Sequence, residues 1–219
     1  MGAPVTVTVF SDVLCVWAYV AQARIEEVKA RFGDDVRIDY RFFSVFGDAR
    51  SKIATTWKDR GGAEGYRDHV LDIARRFPHV AVHPDIWVAT QPASSASPHL
   101  FLAALRDQDG NAFERVLWEF RRAFFDEGRD IGRRDVQEAI AVRAGVDLAA
   151  IDGAIQSGTA FARLEGDVQE AARFRIEGSP TIVLNEGRQK LYGNVGFRVI
   201  EANIAELLRD PRPGEASWC

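Results

Sequence analysis

Ser11–Val28, SDVLCVWAYVAQARIEEV, decides how this chain is read, because one periodicity stops there and another starts. Just before it, Val5–Phe10 (VTVTVF) alternates Val with Thr, the two-residue period of a strand. Within and just beyond it, Ala21, Ile25, Val28 and Phe32 recur at a spacing near 3.6, the mark of a helix with one buried face. Gly33, Asp34 and Asp35 then end the pattern. Val36–Phe43 (VRIDYRFF) alternates again, with Val36, Ile38, Tyr40 and Phe42 on one side. Strand, helix and strand in that order predict a βαβ unit, and its two strands must then be parallel. Cys15 falls at the first turn of the helix.

After about Ser44 the chain changes character. Tyr66, Val70, Ile73 and Phe77 make one helical stripe; Phe113, Val116, Leu117, Phe120 and Phe124 make another. Two shorter helices are expected in RRDVQEAIAVRAGV and LAAIDGAI. A long one is expected in AFARLEGDVQEAARFRI, with Phe161, Leu164, Val168 and Ala172 inward. The end of the chain returns to sheet. GSPTIVLN and RQKLYGN read as strands joined by a tight hairpin at Glu186 and Gly187, before a last helix from about Phe197 to Leu208. The expected class is therefore α/β. A βαβ half (residues 1–48) and a ββα half (173–219) share one mixed sheet, and an α-helical insertion (49–172) separates them. That is the thioredoxin-like architecture with a large helical insertion.

Composition narrows the function classes. The 219 residues carry a formal net charge of -4, which gives no electrostatic basis for binding nucleic acid or an anionic membrane. No apolar run approaches the about 20 residues of a membrane span. The N-terminus lacks the basic and apolar regions of a secretory signal. With two cysteines, Cys15 and Cys219, the expected compartment is the cytoplasm and a structural disulfide is not expected. His69, His79, His83 and His99 show no metal-ligand spacing on a common helix, and there is no Gly-rich nucleotide loop, so no metal and no tightly bound cofactor are expected.

Cys15 is the candidate for chemistry. At a helix N-terminus the unpaired N–H groups and the positive end of the dipole stabilise a thiolate, which is the nucleophilic form. The plainer reading is a small buried hydrophobe, since free cysteine is among the most buried residue types. The strand–Cys–helix context, together with Gly178–Thr181 (GSPT), favours a working thiol. Pro180, just ahead of an apolar strand, belongs at a strand start or in a cis turn.

Asp12–Tyr19 (DVLCVWAY) resembles the active-site segment of DsbA-like thioredoxin-fold proteins, especially their FrnE-like branch, where the frame is D-x-x-C-P-W-C-Y. GSPT resembles the family's cis-proline loop, and Phe124–Asp147 resembles its helical insertion. The resemblance implies a thiol–disulfide oxidoreductase with Cys15 as nucleophile. It also implies a cis Ser179–Pro180 bond beside it, and a groove for a thiol or disulfide substrate or glutathione shaped by Trp17, Ala18, Ser179, Pro180 and Thr181. Two positions depart from the frame: Val16 replaces its proline and Ala18 its second cysteine. Cysteines three apart share a helix face, so the second can resolve a mixed disulfide on the first. Ala18 removes that exit, and turnover then needs an outside thiol such as glutathione. Cys219, in the tail GEASWC, is a possible resolving thiol or a link to a second copy in a homodimer.

Tyr192–Val199 (YGNVGFRV) also resembles, faintly, a helix-start segment of the sister 2-hydroxychromene-2-carboxylate isomerases and kappa-class glutathione transferases, which implies a glutathione-binding role for Asn194. The alternative for Asn194 is a helix cap. Three functions follow: a monothiol oxidoreductase, a glutathione-dependent isomerase or transferase, and a redox-inert binding homologue.

Overall fold

The structure is a computed structural model that describes residues 4–106, 108, 110–209 and 215. Strand β1 (Val5–Ser11) leads through a four-residue turn into α1 (Val16–Phe32), and β2 (Val36–Phe42) follows. β1 and β2 pair in parallel along their full length, from Val5 opposite Val36 to Ser11 opposite Phe42. After α2 (Ala49–Thr56), α3 (Gly62–Arg76), α4 (Ala96–Arg106), α5 (Gly110–Phe125), α6 (Arg134–Arg143), α7 (Leu148–Gln156) and α8 (Thr159–Arg173), the chain re-enters the sheet. It does so as β3 (Thr181–Leu184) and β4 (Gln189–Tyr192), and α9 (Phe197–Leu208) closes it. The sheet order is β2-β1-β3-β4. β3 runs antiparallel to β1, with Phe10 opposite Thr181 and Val9 opposite Ile182.

β1 is thus flanked on both sides, and all four residues of β3 are buried. α1 lies against α3 and α9, while α4 packs with α5, α7 and α8. Phe101, Leu102, Leu105, Phe113, Val116, Leu117, Phe120 and Phe124 all sit in this core, continuous with Val7, Val9 and Leu14 beneath the sheet. The insertion and the sheet therefore share the main hydrophobic core, and a smaller cluster of Phe10, Ala171, Ile176 and Val183 joins the sheet to α8.

Two expectations are corrected. Phe161, Val168 and Ala172 face solvent; Phe161 is 55% exposed and Val168 51%. α8 packs instead through Ala160, Leu164, Asp167 and Ala171, which recur on its other side. Its rotation follows the fully buried carboxylate of Asp167. That group accepts hydrogen bonds from Arg41 Nη1 at 3.1 Å, Arg106 Nη1 at 2.8 Å and the Phe42 amide at 3.0 Å. A buried charge without such partners costs several kcal/mol, roughly the worth of two or three buried apolar side chains. The ion-pair cluster therefore outweighs the apolar stripe. The hairpin is also longer than expected. Leu184 pairs with Gln189, so the connection runs over four residues, and Asn185, Glu186 and Gly187 all have positive φ.

Candidate functional site: a buried thiol facing a cis-proline loop

Cys15 stands at the N-cap of α1 with an extended backbone, φ −85° and ψ 117°. Its amide donates to the Asp12 carbonyl at 3.1 Å, closing the turn after β1. Its own carbonyl accepts from the amides of Ala18 and Tyr19 and starts the helix. Its Sγ reaches across to the loop before β3 and donates to the Ser179 carbonyl at 3.3 Å. The same serine returns a second contact, its Oγ accepting from the Asp12 amide at 2.9 Å. The Ser179–Pro180 bond is cis. The exposed ring of Tyr192 lies over Gly178, 2.6 Å from where a Cβ there would sit.

Asp12 is the hub of the turn. Its fully buried carboxylate accepts from the Leu14, Val45 and Phe46 amides and from Ser95 Oγ, each at 2.8 Å. One side chain thus ties the start of α1 to the segment after β2 and to the approach to α4. His99 of α4 lies beside it. Its Nε2 accepts from the Val13 amide at 3.1 Å, which places the ring proton on Nδ1, and its ring stacks on Phe42. Burial holds the His99 pKa below its usual value, so the ring is neutral at pH 7.

The thiol is only 7% exposed. Burial pushes the Cys15 pKa up, and the Asp12 carboxylate adds to that. The Ser179 side chain and the backbone of Ala18 and Trp17 at the helix start pull the other way. Desolvation wins. The helix-terminus reading favours the thiolate; in the structure burial outweighs that and favours the protonated thiol. Tyr66 of α3 and Arg121 of α5 both sense the Cys15 charge, though they are 51 and 106 residues away in the chain.

A family model, the DSBA-like thioredoxin domain, matches residues 6–205. The chain belongs to that family. The DSBA-like chain shares its fold with a probable DsbA oxidoreductase from Streptomyces coelicolor: TM-score 0.75, 22% identity, 96% of this chain and 93% of that one. It also shares it with the cytosolic disulfide reductase DsbM from Pseudomonas aeruginosa with GSH: TM-score 0.68, 20% identity, 93% and 99% covered. By sequence it is similar to the ClpXP adapter protein SpxH of Halalkalibacterium halodurans, 24% identical over 94% of this chain and 68% of that protein.

In this DSBA-like chain Ala18 occupies the place of the second cysteine. It is buried and lines a small cavity with Ser11, Gln22, Arg121 and Pro180. Trp17 is half-buried and meets Phe77 edge-on at 5.9 Å. Thr181 is buried in β3 with its hydroxyl donating to the Gly178 carbonyl at 2.8 Å, so it braces the loop and does not face a groove. Asn194 does not cap α9, because Gly196 holds that position; its Oδ1 is buried without a partner. Cys219 lies outside the described residues. His79 and His83 are used locally, His79 Nε2 on the Val20 carbonyl and His83 Nδ1 accepting from the Asp85 amide. Among the described residues no three His, Cys, Asp or Glu side chains gather as a metal site, and no helix is long and apolar enough to cross a membrane.

Sequence reasoning missed Asp12 as a hub, His99, Tyr66 and Arg121. Arg121 carried a signal: it follows Leu117 by four residues and precedes Phe124, so it sits on the apolar stripe of its helix, where a charge is out of place.

Proposed function

We propose that this chain is a cytoplasmic thiol–disulfide oxidoreductase that works with one cysteine and takes its second thiol from glutathione. The contact between Cys15 Sγ and the Ser179 carbonyl carries this reading, because it sets a sulfur nucleophile against a backbone edge. An extended disulfide substrate can lie along such an edge through main-chain hydrogen bonds. The Cys15 thiolate attacks one sulfur of the substrate disulfide, forming a mixed disulfide and releasing the other half as a thiolate. One glutathione thiolate then displaces the remaining half, leaving glutathione on Cys15. A second glutathione removes it as oxidised glutathione. Two glutathiones are oxidised for each substrate disulfide reduced.

The test is mass spectrometry after incubation with oxidised glutathione. The expected result is one adduct, on the Cys15 peptide, lost in Cys15→Ser and reversed by reduced glutathione. Failure of Cys15 to form an adduct, with no reduction of small mixed disulfides, overturns the proposal.

One observation favours a second reading. A thiol kept protonated by burial is also a hydrogen-bond donor, and such a donor beside a helix N-terminus suits holding the thiolate of a bound glutathione. In a glutathione-dependent isomerase or transferase Cys15→Ser keeps a donor and keeps activity. In the exchange mechanism the same substitution abolishes it.

A further inference from the structure

Tyr192 is the most exposed of the large apolar side chains among the described residues, at 68%. A single exposed aromatic is ordinary on a protein surface. What sets this one apart is its place. β4 ends at Tyr192, which pairs with Thr181, the first residue of β3. The amide of the next residue, Gly193, donates to the Pro180 carbonyl at 2.8 Å. Two consecutive residues thus tie the end of β4 to the cis-proline loop. The ring folds back over Gly178, one residue before the serine whose carbonyl accepts from the Cys15 thiol. β4 is the outer strand of the sheet on this side, so the ring stands at an open edge.

The ring is also unengaged. Trp17, two residues after the thiol, meets Phe77 edge-on. Tyr192 pairs with no other ring among the described residues, and its hydroxyl makes no hydrogen bond to them. The backbone under the ring is equally open, since the amides of Glu177, Gly178 and Ser179 donate to no group among the described residues. An extended chain can add main-chain hydrogen bonds along such an edge. Its residues advance by about 3.3 Å each. With its reacting cysteine opposite Ser179, the neighbour of that cysteine lies opposite Gly178, against the Tyr192 ring.

We propose that Tyr192 is a specificity residue for polypeptide disulfides, its exposed ring stacking on an aromatic side chain next to the substrate's reacting cysteine. The inference deepens the proposed function and rests on Cys15 being the thiol that attacks. Aromatic pairs gain from offset or edge-on stacking, and a ring carried on a paired strand has little freedom left to lose on contact. The contact acts on capture of the substrate and leaves the ionisation of Cys15 alone. Oxidised glutathione does not use it, because its cysteine is flanked by a γ-glutamyl link and a glycine, with no side chain to stack.

The test is single-turnover formation of the mixed disulfide on Cys15 at one pH, read by mass spectrometry in a Cys219→Ser background, which leaves one thiol. The probes are symmetric disulfides of short blocked peptides with phenylalanine directly before or directly after the cysteine, the same peptides with alanine there, and oxidised glutathione. In each reaction the Cys15 thiolate takes one half of the probe and releases the other half as a thiolate. With Tyr192 in place, a phenylalanine probe is expected to be captured about fivefold faster than its alanine counterpart. Tyr192→Phe keeps that preference and Tyr192→Ala loses it, while the rate with oxidised glutathione is the same in all three. Equal rates for phenylalanine and alanine probes in both placements overturn the inference and leave Cys15 as the reacting thiol. A Tyr192→Ala variant that slows every probe alike, oxidised glutathione included, also overturns it, because the ring then only props the loop. Should Tyr192→Ala not fold, Tyr192→Leu takes its place, since it covers Gly178 without a ring, and the same loss of preference is expected. No capture of any probe by Cys15 instead removes the proposed function, and this inference with it.

Discussion

Ser179 is tied twice to the turn that carries Cys15: the thiol donates to the serine carbonyl, and the serine hydroxyl accepts from the amide of Asp12, three residues before the thiol. The hydroxyl also supports the sulfur anion, against the burial that opposes it. In wild type the alkylation rate of Cys15 at pH 7 therefore falls below that of a model thiol, and it rises through a midpoint above 9.0. Ser179→Ala moves the midpoint further up and costs about 1 kcal/mol of stability for the unpaired Asp12 amide. Rates with iodoacetamide as a function of pH check both. A wild-type midpoint below 9 contradicts the role given to burial.

Ala18→Cys should rebuild a dithiol. The position shares a helix face with Cys15, three residues away, and opens on the small cavity beside Pro180. The variant is expected to lose two free thiols per chain on oxidation and to reduce insulin without glutathione, while wild type needs glutathione. Thiol counting and the turbidity of reduced insulin measure this. A variant that keeps both thiols free under oxidant shows that residue 18 does not face Cys15.

Asp12→Asn tests the hub. An amide presents N–H groups to at least one of the four donors that now converge on the carboxylate, leaving it unmatched in a fully buried site. The expected loss is about 3 kcal/mol. It appears as an earlier urea midpoint with an unchanged slope, since the fold is kept. A loss under about 1 kcal/mol sinks the hub interpretation.

The division between what the sequence discloses and what it hides is physical. Val5–Phe10, Val36–Phe43 and the helical stripes are local periodicities, so the βαβ start, the helical block and the ββα end can be read along the chain. The meeting of Cys15 with the Ser179–Pro180 loop came from resemblance and not from periodicity, because 164 residues separate the partners. The thiol's ionisation could not be read at all. The dipole at the helix start is a local property, but the desolvation that outweighs it is a property of the folded core. The α8 rotation failed for a similar reason: Phe161, Val168 and Ala172 form a legible stripe, but Asp167 meets arginines from β2 and α4 that no window around α8 contains.

His99 gives the chain an acid limit. Its pKa in the fold lies below the ordinary value of 6.5, because burial disfavours the charged ring more than Asp12 favours it. Below about pH 6.5 the unfolded chain takes up a proton at this residue and the folded chain does not. Stability from His99 is therefore present above that pH and lost as pH falls, at up to about 1.4 kcal/mol per pH unit until the folded value is reached. Protonation in the fold would also turn Nε2 from acceptor to donor against the Val13 amide and loosen the turn that carries Cys15. His99→Gln keeps an acceptor for that amide and removes the titration. Urea unfolding between pH 7 and 5 is expected to show a shallower decline in His99→Gln than in wild type, and because both chains share every other titrating group, the difference in slope belongs to His99. Parallel slopes would mean that the ring is protonated inside the fold.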